Sequence, residues 1–139
     1  SYKGGDPGFV RVLDERTLVF PSYDGNGMFK SLGNIRANPA VGLLFMSFET
    51  PKRLRVNGTA IVSSEDAAME LFPGAQLLVR VTPRHVFPNC PRYIPKMQMV
   101  EPSPYVPRAG CSAPVPKWKT WPQFKEVLPA GDPARDESG

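Results

Sequence analysis

The sequence predicts a mainly β domain: a small antiparallel barrel, closed or half-open, with two or three short helices and an extended proline-rich C-terminal arm. Three observations carry that expectation. Short apolar or alternating runs, separated by turn residues, fill positions 1–82. No glycine-rich turn joins a first strand to a helix, which argues against a doubly wound dinucleotide fold. Twelve of the seventeen prolines stand at or after Pro83. Proline lacks an amide donor and fixes φ, so the second part cannot be mostly helix or central strand.

The elements follow in order. Gly8 to Leu13 and Thr17 to Phe20 flank Asp14, Glu15 and Arg16, a turn of hairpin length. Pro21 to Gly27 is a loop of turn residues. Asn26 is placed to cap a helix whose apolar face is Met28, Leu32 and Ile35. Asn38 and Pro39 end it, because the residue before proline avoids the helical region. Val41 to Phe48 is too apolar for a half-exposed strand and reads as a central one. After Pro51, Arg53 to Val62 alternates. Leu54, Val56, Ala60 and Val62 share one face, with Gly58 between them, and Arg53, Arg55, Asn57 and Thr59 share the other. Glu65 to Phe72 predicts an amphipathic helix capped by Ser63 or Ser64, and Gln76 to Val81 a further strand.

A chain of 139 residues is one domain's worth, and 41% apolar with 22% charged residues is ordinary for a globular protein. The net charge of +4 is spread along the chain without a basic stripe, so the sequence predicts neither nucleic acid nor membrane as a partner. No run approaches the ~18 apolar residues of a membrane span, and no signal peptide is visible, so a reduced cytoplasmic protein is expected. The chain begins at Ser1 within what reads as structured sequence. A preceding strand in a segment of about 25–60 residues is the expectation there. Cys90, Cys111 and a lone His85 make no zinc ligand set, and the context of the two thiols leaves a disulfide open.

Lys30 and Ser31 open the predicted helix, where free amides and the helix dipole favour an anion. A solvated face and a ligand site fit these two residues equally; Gly25 and Gly27, which let backbone approach a ligand, tilt toward the site. Arg53 and Arg55 stand about 7 Å apart along one strand face. Arginines facing only water are the commoner case, but one apolar strand joins these to the Lys30 helix as a second wall for the same pocket. Lys3, followed by Gly4 and Gly5, is a weaker third candidate for polar ring atoms or a phosphate. Cys90 lacks a recognisable activating partner, whereas Arg92 and Tyr93 suit a ligand wall or an interface. Trp118 and Trp121 read as packing anchors first.

Leu18 to Phe48, with Tyr23, the Lys30-Ser31 pair and Asn38-Pro39, resembles the pyridoxamine 5′-phosphate oxidase-like family, as does the run Arg53 to Ala60. The resemblance covers roughly residues 1–88. It implies a six-stranded FMN-binding split barrel whose first strand is missing here, with residues 89–128 as an arm over the barrel and a dimer partner. Residues 129–139 read as a disordered tail. The resemblance further implies a homodimer holding two FMN molecules at the interface. Lys30 and Ser31 would hold the phosphate, Arg53 and Arg55 would lie near phosphate or ring, and Lys3 and Gly4 near the ring edge. Tyr23 joins the cofactor set, and Arg92 and Tyr93 are the substrate-side residues. The arginine- and histidine-bearing C-terminal motif of the true oxidases has no counterpart after Leu128. The implied activity is therefore FMN-dependent oxidation or reduction of an unidentified small organic molecule. The alternative is a non-catalytic module storing or sensing flavin, deazaflavin or haem; an oligonucleotide-binding barrel is a remote third, for want of aromatics among its basic residues.

Overall fold

A computed structural model describes residues 1–136. Among these, five strands form one antiparallel sheet: β1 (Arg11–Asp14), β2 (Thr17–Ser22), β3 (Ala40–Ser47), β4 (Lys52–Ser63) and β5 (Leu77–Asn89). Their order is β1-β2-β5-β4-β3, with β1 and β3 as free edges. The sheet is mainly β and antiparallel as expected. It is open, and the described residues supply five strands rather than six.

The β1–β2 hairpin is set by Asp14, whose Oδ1 accepts from the Arg16 amide at 2.8 Å. β2 tolerates Pro21 because β1 pairs with β2 only as far as Val19, which leaves that side of the strand without a partner. Helix α1 spans Lys30–Ala37. Cross-strand pairing puts Leu18, Phe20, Val79, Val81, Ala60 and Val62 on one sheet face, and α1 covers them through Leu32, 3% exposed. Burying such a leucine is worth about 1.5–3 kcal/mol. Val19 and Leu78 point to the other face, where Ala68 and Phe72 pack on them.

Five expectations are corrected. β3 is an edge strand rather than a central one, and its side chains alternate between half-buried and exposed. Glu65 to Phe72 forms a 3₁₀ turn over Ala67–Leu71, capped by Asp66, whose carboxylate accepts from the Ala68 amide at 2.9 Å. Ser63 instead accepts from the Glu65 amide one turn earlier. Asn26 does not cap α1; it closes a turn onto the Met28 amide, and Met28 is exposed. β5 does not stop before Pro83 but runs on through Pro83 and Pro88. β2 pairs with β5 only over Leu77–Val81, so beyond it a missing amide costs no bond on the open side. The ladder also slips one residue between Asn57 and Gly58, opposite Pro83.

The arm over residues 90–116 holds no helix or strand, only a bridge between Arg108 and Cys111. A 3₁₀ turn (Lys117–Thr120), helix α2 (Pro122–Lys125) and helix α3 (Pro133–Asp136) follow. Leu128, Asp132 and Ala134 are buried. The fifth correction is therefore the start of the tail: within it Asp132 and Ala134 are buried, and Lys119 donates to Asp132. The rest of the expected tail, 137–139, lies outside the described residues.

Candidate functional site

A cavity of about 200 Å³ opens at the start of α1. The Pro21 to Gly27 loop supplies Ser22, Tyr23, Gly25 and Gly27; the first turn of α1 supplies Lys30, Ser31 and Leu32; the N-terminal segment supplies Ser1 and Lys3. Four of the sequence-predicted residues, Lys3, Tyr23, Lys30 and Ser31, thus meet at one place.

The helix end carries no cap and no acidic side chain. Phe29, the residue before α1, adopts φ 47° and offers no side-chain cap, and no acidic residue stands in the first turn. A left-handed phenylalanine costs about 1–2 kcal/mol. The first-turn amides, which have no partner inside the helix, remain available. Gly27, at φ 71°, makes the preceding turn. Among the described residues, no carboxylate forms an ion pair with Lys3 or Lys30. The Ser1 and Ser31 hydroxyls share a hydrogen bond across the opening. Tyr23 packs on Phe9 with ring centroids 6.0 Å apart. Burial, with Asp6 adding to it against a smaller opposing effect of Arg11, pushes its phenol above the ordinary range, so it is a neutral hydroxyl at neutral pH.

A second cavity of about 290 Å³ shares Ser1, Lys3, Ser31 and Leu32 with the first and continues over Ile35, Val41, Gly42 and Leu43. Polar groups therefore gather at the helix end, and apolar wall extends from it.

Arg53 and Arg55 do not reach this cavity. Arg53 pairs in register with Met46 and Asn89, seven residues from Ala60, where α1 packs. That is roughly 20 Å along the strand. Arg53 donates to the Cys90 carbonyl, and Arg55 Nε donates to Asn89 Oδ1 at 2.6 Å, so both tie down the chain leaving β5. The Arg53 Nε is buried without a partner among the described residues. Arg53 also lines a separate apolar groove of about 500 Å³ with Phe45, Met46, Leu54, Pro88 and Pro91. Gly4 lies beside Lys3 but does not line the cavity. Arg92 is exposed and Tyr93 is 90% exposed, beyond the end of β5 and outside both cavities. Cys90 and Cys111 are free exposed thiols. Trp118 and Trp121 pack on Phe124, at 5.6 and 6.0 Å.

Sequence reasoning missed Ser22 and Phe29 in the lining, and the Lys119, Asp24 and Asp132 cluster behind it. A lysine set between two tryptophans and two prolines was the available signal for the last.

An open antiparallel sheet with a cavity at the start of α1 on one face is the frame within which the family is recognised. Residues 4–101 match the model of the pyridoxamine 5′-phosphate oxidase family, and the chain belongs to that family. Solved structures to which the chain is similar include HupZ of Group A Streptococcus, 19% identical at a TM-score of 0.47, over 58% of this chain and 68% of that one. A histidine-to-alanine variant of the same streptococcal protein gives the same identity and score, over 73% of that chain. A Lactobacillus delbrueckii protein provisionally designated a pyridoxamine 5′-phosphate oxidase is 28% identical, at a TM-score of 0.44 over 58% of this chain and 68% of that one. No curated protein matches the chain. No helix among the described residues is long and apolar enough to cross a membrane, and no group of three or more metal-ligating side chains occurs among them.

Proposed function

We propose that the chain is a cytoplasmic FMN-dependent oxidoreductase of the pyridoxamine-phosphate-oxidase-like type, acting on a small organic substrate. The observation that carries this reading is the cavity at α1. There, two cations without ion-pair partners among the described residues, three serines and uncapped amides surround space for a phosphate. The donor set suits the phosphate end of FMN, and the adjoining apolar wall suits its chain and ring. Lys30 and Ser31 hold the phosphate, with Lys3 closing over it. Bound flavin would supply the redox chemistry itself. The chain's residues bind, orient and shield it.

In this reading the split barrel is completed by a second copy. The end of the sheet away from α1 leaves Leu44, Met46, Leu54, Val86 and Phe87 exposed, more apolar surface than a lone edge strand tolerates. Pairing there carries Arg53 and Arg55 into the interface, where the partner's flavin lies within their reach. Arg92 and Tyr93, exposed in one chain, then stand on the substrate side.

One observation favours a second reading, a non-catalytic module holding flavin, deazaflavin or haem. The lining of the α1 cavity contains a phenol, amines and hydroxyls but no carboxylate, imidazole or thiol. The visible spectrum of the purified protein, followed by addition of NAD(P)H and then air, separates the two. A flavin spectrum that bleaches and recovers is the expected result. Flavin that stays bound and never turns over supports the storage module, and a haem or deazaflavin spectrum overturns the FMN assignment.

A further inference from the structure

The proline-rich arm returns to the back of the α1 cavity at two points. Lys119, 1% exposed, donates to both oxygens of Asp24 at 2.7 Å and to Oδ2 of the buried Asp132. Asp24 stands between Tyr23 and Gly25, which line the cavity, while Asp24 itself does not line it. Gly27, in the same loop, lies so close to Pro129 that a β-carbon there would stand 2.7 Å from the proline ring. In the N-terminal segment, whose Ser1 and Lys3 line the cavity, Arg108 grips Asp6, three positions after Lys3, through two contacts of 2.6 and 2.8 Å.

We propose that residues 108–132 brace the cavity from within the same chain. Lys119 and Arg108 act as positioning residues that hold the Tyr23 to Gly27 loop and the Ser1 to Asp6 segment in the shape that receives an anion. The proposal rests on the reading of this cavity as a phosphate site. A loop with two glycines in five residues loses its ordering entropy at every binding event unless something has ordered it beforehand. The Lys119 contacts do that ordering. Burying an ammonium with two carboxylates is a poor way to gain stability, since apolar replacements of such groups are often neutral or better. Fixing one loop geometry is the gain it offers.

Asp24→Asn tests the brace, because Lys119 keeps Asp132 as a partner and the fold is retained. Removing a carboxylate near an anion site would, through space alone, tighten FMN binding; releasing the loop weakens it. The expected result is an FMN Kd raised about five- to tenfold, with amide exchange of Tyr23 to Gly27 in the ligand-free protein accelerated about tenfold. Asp24→Glu should recover part of both. Unchanged or tighter FMN binding in Asp24→Asn, or unchanged exchange, overturns the proposal. If the unaltered protein binds no FMN, the phosphate reading fails, and the exchange measurement by itself decides the brace. Arg108→Gln should accelerate exchange in Ser1 to Asp6 in the same way, and no acceleration there removes Arg108 from the brace.

Discussion

Lys3 and Lys30 face one cavity without a carboxylate between them, an arrangement that costs repulsion unless an anion joins it. Both are solvent-exposed, so their effect on an anion is screened by salt. Lys3→Ala should weaken FMN binding about threefold at low salt and less at high salt, as read by flavin fluorescence titration. An effect that grows with salt would rule out a direct charge contact. Asp66 is a residue of another kind. It accepts from the Ala68 amide and grips Arg80 at 2.8 and 2.9 Å, and the Arg80 hydrogen bonds hold its carboxyl below the ordinary range. A lowered folded pKa means that its stabilisation is present above the unfolded value, near 3.8, and is lost as pH falls through the folded value. Asp66→Ala should cost about 2 kcal/mol in urea unfolding at neutral pH, through the lost cap and charged hydrogen bonds. Asp66→Asn should flatten the fall in stability below about pH 4; an unaltered acid limb would show that Asp66 is not its source.

At the scale of elements, Gly58 is a point of close backbone approach between β4 and β5. A β-carbon there would stand 2.2 Å from the Thr82 carbonyl oxygen and 3.0 Å from Pro83 Cα, both backbone. Gly58→Ala should therefore destabilise the domain by about 1–3 kcal/mol or more, measured by thermal or urea unfolding; a neutral result would show that the ladder slip at Asn57 relaxes freely. The same place shows why the strands were legible only in part. Alternation gave β4 its two faces, an apolar run located β3, and helical spacing located α1, each to within a few residues. It did not show that β5 continues past Pro83, since whether a proline breaks a strand depends on which side has a neighbour. Nor does an apolar run distinguish a central strand from an edge strand that another surface covers, and β3 is an edge. Asp66 outdid two serines as a cap because Arg80, brought by β5, fixes its carboxylate. That Lys30 and Ser31 lie in the first turn of a helix was legible from the apolar spacing, although the start itself falls at Lys30 rather than after Asn26. The separation of Arg53 and Arg55 from them was not, because it depends on register along β4.

At the scale of the molecule, the open sheet and its exposed apolar end form the interface of the proposed dimer. Leu44 and Phe87 lie opposite Arg55 in the ladder and on its face, and Leu44 is 48% exposed. Light scattering at micromolar concentration should give a dimer, and Leu44→Asp should shift it toward monomer by placing a charge in the interface. A wild-type monomer carrying FMN would exclude the interface role of Arg53 and Arg55. The arm belongs to this scale too. Its prolines ruled out regular structure over residues 90–116, yet its charged residues tie it back to the domain at Asp6 and Asp24. In the proposed reading the α1 cavity holds the phosphate of FMN. Equilibrium titration of FMN into the ligand-free protein and into Lys30→Ala tests it most directly. A charge-assisted contact of about 1.5–3 kcal/mol predicts roughly tenfold or greater loss of affinity in the variant, with the fold intact by circular dichroism. Equal FMN affinity in the two proteins would contradict the account.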